Sequence, residues 1–211
     1  FVSQEQPRSA GLLHELTPPV PAGETQFSLI CIPYGGGNAI VYQPLANALP
    51  RNCSLYAVQL PGHDYAYQDE ALQPLEKVVR QCAEEIRQKT NGPLALYGHS
   101  AGAALAIEIA RLLEQAHVKV VGVFVGAKFP EARPPSKLFE WFYQTLHMDR
   151  WKSDRAIYES HRALGGFADT LDSDQVAFIV KSLRHDAQVD EDYYTQIYTA
   201  PPAQKPEAPF V

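Results

Sequence analysis

Residues 98–102 read Gly98-His99-Ser100-Ala101-Gly102, a serine with a glycine two places away on either side. The run "LALY" before it is apolar, and "AALAIEIARLL" after it is rich in alanine and leucine, so the serine lies where a strand turns into a helix. Such a turn forces its central residue into strained backbone angles, and side chains two positions away would collide across it. Glycine removes the collision. The hydroxyl then stands at a helix N-terminus, where free N–H groups and the positive dipole end favour a developing oxyanion. The chemistry expected of Ser100 is nucleophilic attack on an acyl carbon; the plainer alternative is a structural turn serine.

A second glycine cluster, "PYGGG" at 33–37, ends an apolar run. In a strand–turn–helix hydrolase, a loop in this position donates one backbone N–H to the oxyanion hole, and the residue after the nucleophile, here Ala101, donates the other. Gly35 is the expected donor, Gly36 its near competitor, and Tyr34 and Gly36 candidate lining residues. The alternatives are a tight turn or a phosphate cradle, but no Gly-Lys-Ser/Thr follows as a Walker loop requires.

Attack by a serine needs a base. His99 adjoins Ser100 within the bend, so its ring is expected to point away and to pack or hydrogen-bond. His63 follows a Pro-Gly pair at a strand end, where it is a conceivable lining residue, a poor base, and most simply a solvated histidine. His147, His161 and His185 fall in a later helical region, and His185-Asp186 are neighbours that face different ways on a helix. No His/Asp/Glu set has metal-ligand spacing, so no metal is expected.

The elements that must carry these residues alternate. The run at 27–37 reads as a central strand running into a tight glycine loop, and further strands are expected at 54–63, 93–97 and 118–130, with a short helix after Gly37, an amphipathic helix from Leu75 through Val78, Val79, Cys82 and Ile86, and the Ser100 helix. Strand–helix alternation predicts an α/β fold, a mostly parallel sheet covered on both faces. After Pro130 the pattern becomes helical, and 136–199 holds half of the chain's aromatic residues. This is expected to be a helical lid in which Phe139, Trp141 and Phe142 line an apolar channel, or else pack a small satellite core. Residues 1–26 read as a linker-like segment and 27–211 as the domain. Pro209-Phe210-Val211 resembles the start of a further strand.

Bulk properties narrow the function. A net charge of −6 with no Lys/Arg cluster argues against nucleic acid as the main partner. Three cysteines without CxxC spacing suggest neither a disulfide framework nor zinc. No apolar run is long enough to span a bilayer, no signal peptide opens the chain, and a cytoplasmic location is expected.

Together "IPYGGGNAIVYQPLANALP", "YAVQLPGHD", "LALYGHSAGA" and "RALGGFADTL…VKSLRHDAQVDEDY" resemble the thioesterases of nonribosomal peptide and polyketide synthesis, particularly the type II editing thioesterases. The resemblance implies an α/β-hydrolase fold with a helical lid and no bound cofactor. It implies acyl or peptidyl substrates held as thioesters on the phosphopantetheine arm of a carrier protein, released by hydrolysis or cyclisation. The linker-like opening and non-Met start raise membership of a larger synthetase chain. In the product-releasing type the triad acid follows the strand after the Ser100 helix, where this chain has Gly126-Ala127-Lys128. The type II pattern puts acid and histidine later, so both are expected beyond Val211. A chain ending there is expected to be nearly inactive, since loss of one triad member can reduce turnover on the order of a millionfold. Two alternatives stay open: a general esterase or lipase on the same fold, and a non-catalytic carrier-docking module that kept the bend but lost the triad.

Overall fold

The computed structural model describes residues 11–20, 27–127, 153–163, 165, 171–202 and 204–211. Five strands form one sheet, β1 (Leu13–Glu15), β2 (Phe27–Ile32), β3 (Cys53–Val58), β4 (Leu94–His99) and β5 (Val120–Gly126), in the order β1-β3-β2-β4-β5. β2, β3, β4 and β5 are parallel neighbours, and β1 runs antiparallel to β3. Among the described residues five α-helices accompany them: α1 (Gln43–Ala48), α2 (Leu75–Lys89), α3 (Gly102–Gln115), α4 (Asp154–Ala163) and α5 (Ser173–Thr199).

The sheet is apolar on both faces because both are covered. Ile30, Ile32 and Val58 pack on one side with Val79, Ile86, Ile109 and Leu113 of α2 and α3. Cys31, Leu55 and Ala57 pack on the other with Tyr42 and with Ala46 of α1. Burial pushes the Cys31 thiol up to about 12, which fits a packing role. The mostly parallel, doubly covered sheet expected from the strand–helix alternation is thus present.

One boundary differs from expectation and the other matches it. The segment before residue 27 is not linker throughout: Leu12 and Leu13 are buried, and their N–H groups donate to Glu85 Oε1 and Oε2 of α2 at 2.8 and 2.9 Å. A three-residue strand is too short to display periodicity, so its mooring to α2 carried no sequence signal. At the other end, Val211 N–H donates to the Val123 carbonyl at 3.0 Å and Val125 N–H to the Val211 carbonyl at 2.9 Å, so Pro209–Val211 run parallel beside β5.

Of the expected lid, α4 and α5 are described, and they pack through Ile157, Tyr158, Val176 and Val180. α5 opens with a capping box: Asp172 accepts from the Asp174 and Gln175 amides, and the Gln175 side chain returns to the Asp172 N–H. No described helix is long and apolar enough to cross a membrane.

Candidate active site

β4, an interior strand, delivers Ser100 at its C-terminal end and α3 leaves from it. Ser100 has φ +52°, a left-handed backbone that a non-glycine residue adopts at a penalty of about 1–3 kcal/mol. Two other described non-glycine residues share that region: His117, which closes α3, and Ala127, just after β5. The bend is braced on both sides, with Ser100 N–H donating to Gly126 O at 2.8 Å and Ala103 N–H to Ser100 O at 3.0 Å. The flanking glycines meet a close approach of backbone. A Cβ on Gly98 would run into the Gly102 carbonyl oxygen and lie 2.7 Å from Ala103 Cα. On Gly102 it would run into the Pro33 carbonyl oxygen and lie 2.7 Å from Ile32 O. The Pro33 contact also explains why "PYGGG" and the bend meet: β2 and β4 are neighbours in register, Ile32 opposite Gly98.

Ser100 and Ala101 are half-buried, and no described residue hydrogen-bonds the Ser100 hydroxyl. Gly35 sits beside Ala101, since a Cβ built on Gly35 would lie 3.6 Å from that of Ala101. Among the described residues neither the Gly35 nor the Ala101 N–H has a protein acceptor, so both remain available. Gly36, at φ +72°, differs: its N–H donates to Asp186 Oδ2 at 2.9 Å. Tyr34 is half-buried, its ring edge-on to His99 at 6.0 Å, and burial raises its phenol. Phe139, Trp141 and Phe142 lie outside the described residues.

The histidines divide. His99 shares a 2.8 Å hydrogen bond between Nδ1 and the Tyr97 hydroxyl, so it is occupied on the strand face. His161 Nδ1 faces the Ile157 carbonyl of its own helix at 2.9 Å. His63 corrects the expectation of a solvated ring: it is 7% exposed, with Nδ1 2.9 Å from Pro61 O and Nε2 2.7 Å from Asp186 Oδ2. Asp186 itself is 8% exposed, and its Oδ1 lies 3.3 Å from His185 Nδ1, so these neighbours do meet although they leave the helix in different directions. Burial alone pushes the Asp186 carboxyl up. Hydrogen bonds from His185 and His63, the His63 charge and the Gly36 N–H outweigh it and hold the group below its ordinary value. Burial likewise pulls His63 down, but the hydrogen bond and charge of Asp186 prevail and raise it.

Asp186 is the functional-region residue that reasoning from sequence missed as a partner of the glycine loop. Its one signal was a carboxylate on a lid helix whose neighbours Leu183 and Val189 are apolar. No group of three or more potential metal ligands occurs among the described residues.

A mostly parallel sheet with a left-handed serine between strand and helix, a glycine loop at its side and a helix laid over that loop defines the α/β-hydrolase class. The family model for the thioesterase domain matches residues 27–206, and the chain belongs to that family. Gramicidin S biosynthesis protein GrsT of Aneurinibacillus migulanus is 30% identical over 168 residues, 78% of this chain and 62% of its own length. Thioesterase PikA5 of Streptomyces venezuelae is 29% identical over 181 residues, 82% of this chain and 59% of its own. The chain thus spans about three fifths of the length of these curated relatives. Among solved structures, the type II thioesterase BorB from the borrelidin biosynthetic cluster superposes with a TM-score of 0.65 at 28% identity, over 88% of this chain and 72% of that one. RedJ, a thioesterase from the prodiginine pathway of Streptomyces coelicolor, superposes with a TM-score of 0.64 at 28% identity, over 91% and 72%.

Proposed function

We infer that the protein carrying this chain is a serine thioesterase that frees acyl or peptidyl groups from the phosphopantetheine thioester of a carrier protein in nonribosomal peptide or polyketide synthesis. The observation that carries this reading is the left-handed Ser100 in its glycine-cleared bend. Ser100 Oγ attacks the thioester carbonyl, losing its proton to a base. The carbonyl oxygen gains the negative charge and is held by the Ala101 and Gly35 N–H groups. Collapse of the tetrahedral intermediate breaks the C–S bond, the thiol leaves with the proton, and an acyl-serine remains. Water, or a nucleophile within the acyl chain, then attacks the acyl-serine and returns the serine hydroxyl.

Gly35 is favoured over Gly36 as the donor because the Gly36 N–H is already held by Asp186. His63, both of whose ring nitrogens are engaged, is not proposed as the base. No cofactor enters these steps. Aromatic residues of the lid, Phe139, Trp141 and Phe142 included, are proposed to receive the acyl chain and the pantetheine arm. A cytoplasmic location suits a carrier-protein partner.

The test compares turnover by the full-length protein of an acyl group on a carrier-bound pantetheine with that of the same acyl group in a free oxygen ester. Preference for the carrier thioester, abolished by Ser100→Ala, is expected. Preference for the oxygen ester would favour the general esterase, and an unreactive Ser100 would favour the docking module.

A further inference from the structure

The lid helix α5 reaches the glycine loop through polar contacts that the proposed reaction does not use. Asp186 Oδ2 accepts two hydrogen bonds, from Gly36 N–H at 2.9 Å and from His63 Nε2 at 2.7 Å. His63 Nδ1 faces the Pro61 carbonyl oxygen, which only accepts, so Nδ1 carries a proton. With Gly36 already donating to Oδ2, the Nε2 contact needs a proton too. The shared proton belongs to His63, because the fold lowers the Asp186 carboxyl and raises the imidazole, so below that raised value His63 is an imidazolium paired with a carboxylate, both buried. One turn earlier, Ser182 donates to the Gly62 carbonyl at 3.1 Å, and a Cβ on Gly36 would lie 3.3 Å from Ile179 O and 3.4 Å from Leu183 Cβ. The helix is moored to two loops at once, with Asp186 the atom-level link between them.

Resting on the reading of Ser100 and Gly35 given above, we propose that Asp186, ion-paired to His63, is a positioning residue for the oxyanion loop. By holding the Gly36 N–H it fixes the peptide planes of 35–37 and leaves the Gly35 N–H beside that of Ala101. Asparagine cannot replace it. An amide oxygen at the Oδ2 position leaves the His63 charge buried without a counter-ion, and an amide nitrogen there confronts the Gly36 N–H with another donor. His63→Gln combined with Asp186→Asn restores a neutral match, because the introduced glutamine amide and the Gly36 N–H both donate to the oxygen of the introduced asparagine. The titratable groups facing the pair are His185 on α5 and Glu70, which also accepts from Gly62 N–H at 2.8 Å. When rising pH strips the shared proton, the His63 Nε2 lone pair faces the carboxylate and the His63–Asp186 link of the mooring is lost.

The test uses the full-length protein, with thioester turnover, the labelling rate of Ser100 by a fluorophosphonate, and glycine- and histidine-selective nitrogen-15 NMR. At pH 6 both His63 nitrogens should carry protons, and the Gly36 amide signal should follow the His63 titration. Asp186→Asn should shift that signal and lower kcat and the labelling rate about 100-fold with KM nearly unchanged, the size expected for a misplaced oxyanion donor. The pair His63→Gln with Asp186→Asn should recover kcat to within about tenfold of wild type. His63→Gln alone, which keeps a donor to Asp186 but leaves that buried carboxylate without its counter-ion, should lower kcat about tenfold, less than Asp186→Asn, and abolish the alkaline decline. Ser182→Ala, which loosens the same helix without touching the loop, should leave kcat within about twofold. A Gly36 signal indifferent to Asp186→Asn and His63 titration overturns the inference, as does an equal kcat loss in Ser182→Ala. Failure of wild type to cleave any thioester would overturn the proposed function instead, while the NMR and labelling arms still decide the role of Asp186.

Discussion

The two halves of the candidate site are held by different physics. Around Ser100 everything follows from crowding of backbone within five residues: two glycines, a left-handed serine and the turn from β4 into α3. On the opposite side, the glycine loop is held by a charge pair whose members stand 123 residues apart in the chain, one on a loop after β3 and one on α5. The first half is steric and insensitive to pH. The second is electrostatic and conditional on it.

The largest effect expected to sharpen this contrast is at the nucleophile itself. Ser100→Ala should reduce thioester turnover by the full-length protein on the order of a millionfold, with thermal unfolding near that of wild type, because only the attacking oxygen is removed. Next in size, Gly102→Ala drives a methyl group into the Pro33 carbonyl, and Gly98→Ala drives one into the Gly102 carbonyl. Each should destabilise the protein by about 3 kcal/mol in urea unfolding, at every pH tested.

On the electrostatic side, Asp186→Ala leaves His63 buried and unpaired, and should destabilise by about 3 kcal/mol between about pH 4 and 6.5. The signs set that window. Asp186 is lowered in the fold, so its contribution is complete above its unfolded value and fades as pH falls through its folded one. His63 is raised, so its contribution is complete below its unfolded value and fades as pH rises through its folded one. The destabilisation should therefore shrink by pH 9, which urea titrations at three pH values would detect. A pH-independent loss would mean that Asp186 serves packing alone. The smallest effect is expected far from the site: Glu85→Ala releases the Leu12 and Leu13 amides and should weaken the fold by about 1–2 kcal/mol, with hydrogen exchange faster in β1.

The same contrast governs what the sequence reveals. The bend at Ser100 is legible because its requirement is local: a glycine two residues either side of a serine, between an apolar run and an alanine-rich one, states its own geometry. The alternation of β2, β3, β4 and β5 with α1, α2 and α3 is legible through periodicity for the same reason. β1 is not, because three residues carry no period and its anchor is a glutamate 72 residues beyond Leu13. The His63–Asp186 pair is hidden more deeply. A histidine after Pro-Gly reads as solvated until α5 is laid over it, and a helical aspartate beside a histidine reads as surface charge. Only tertiary contact turns both inward, and residue spacing carries no trace of a contact between segments so distant in the chain.

The central claim is that the Ser100 hydroxyl is a nucleophile. Intact-protein and peptide mass spectrometry of the full-length protein after brief exposure to a fluorophosphonate tests it most directly. One stoichiometric adduct on Ser100, absent from Ser100→Ala, is expected. Full-length protein that remains unmodified, or carries its adduct on another residue, would contradict the account.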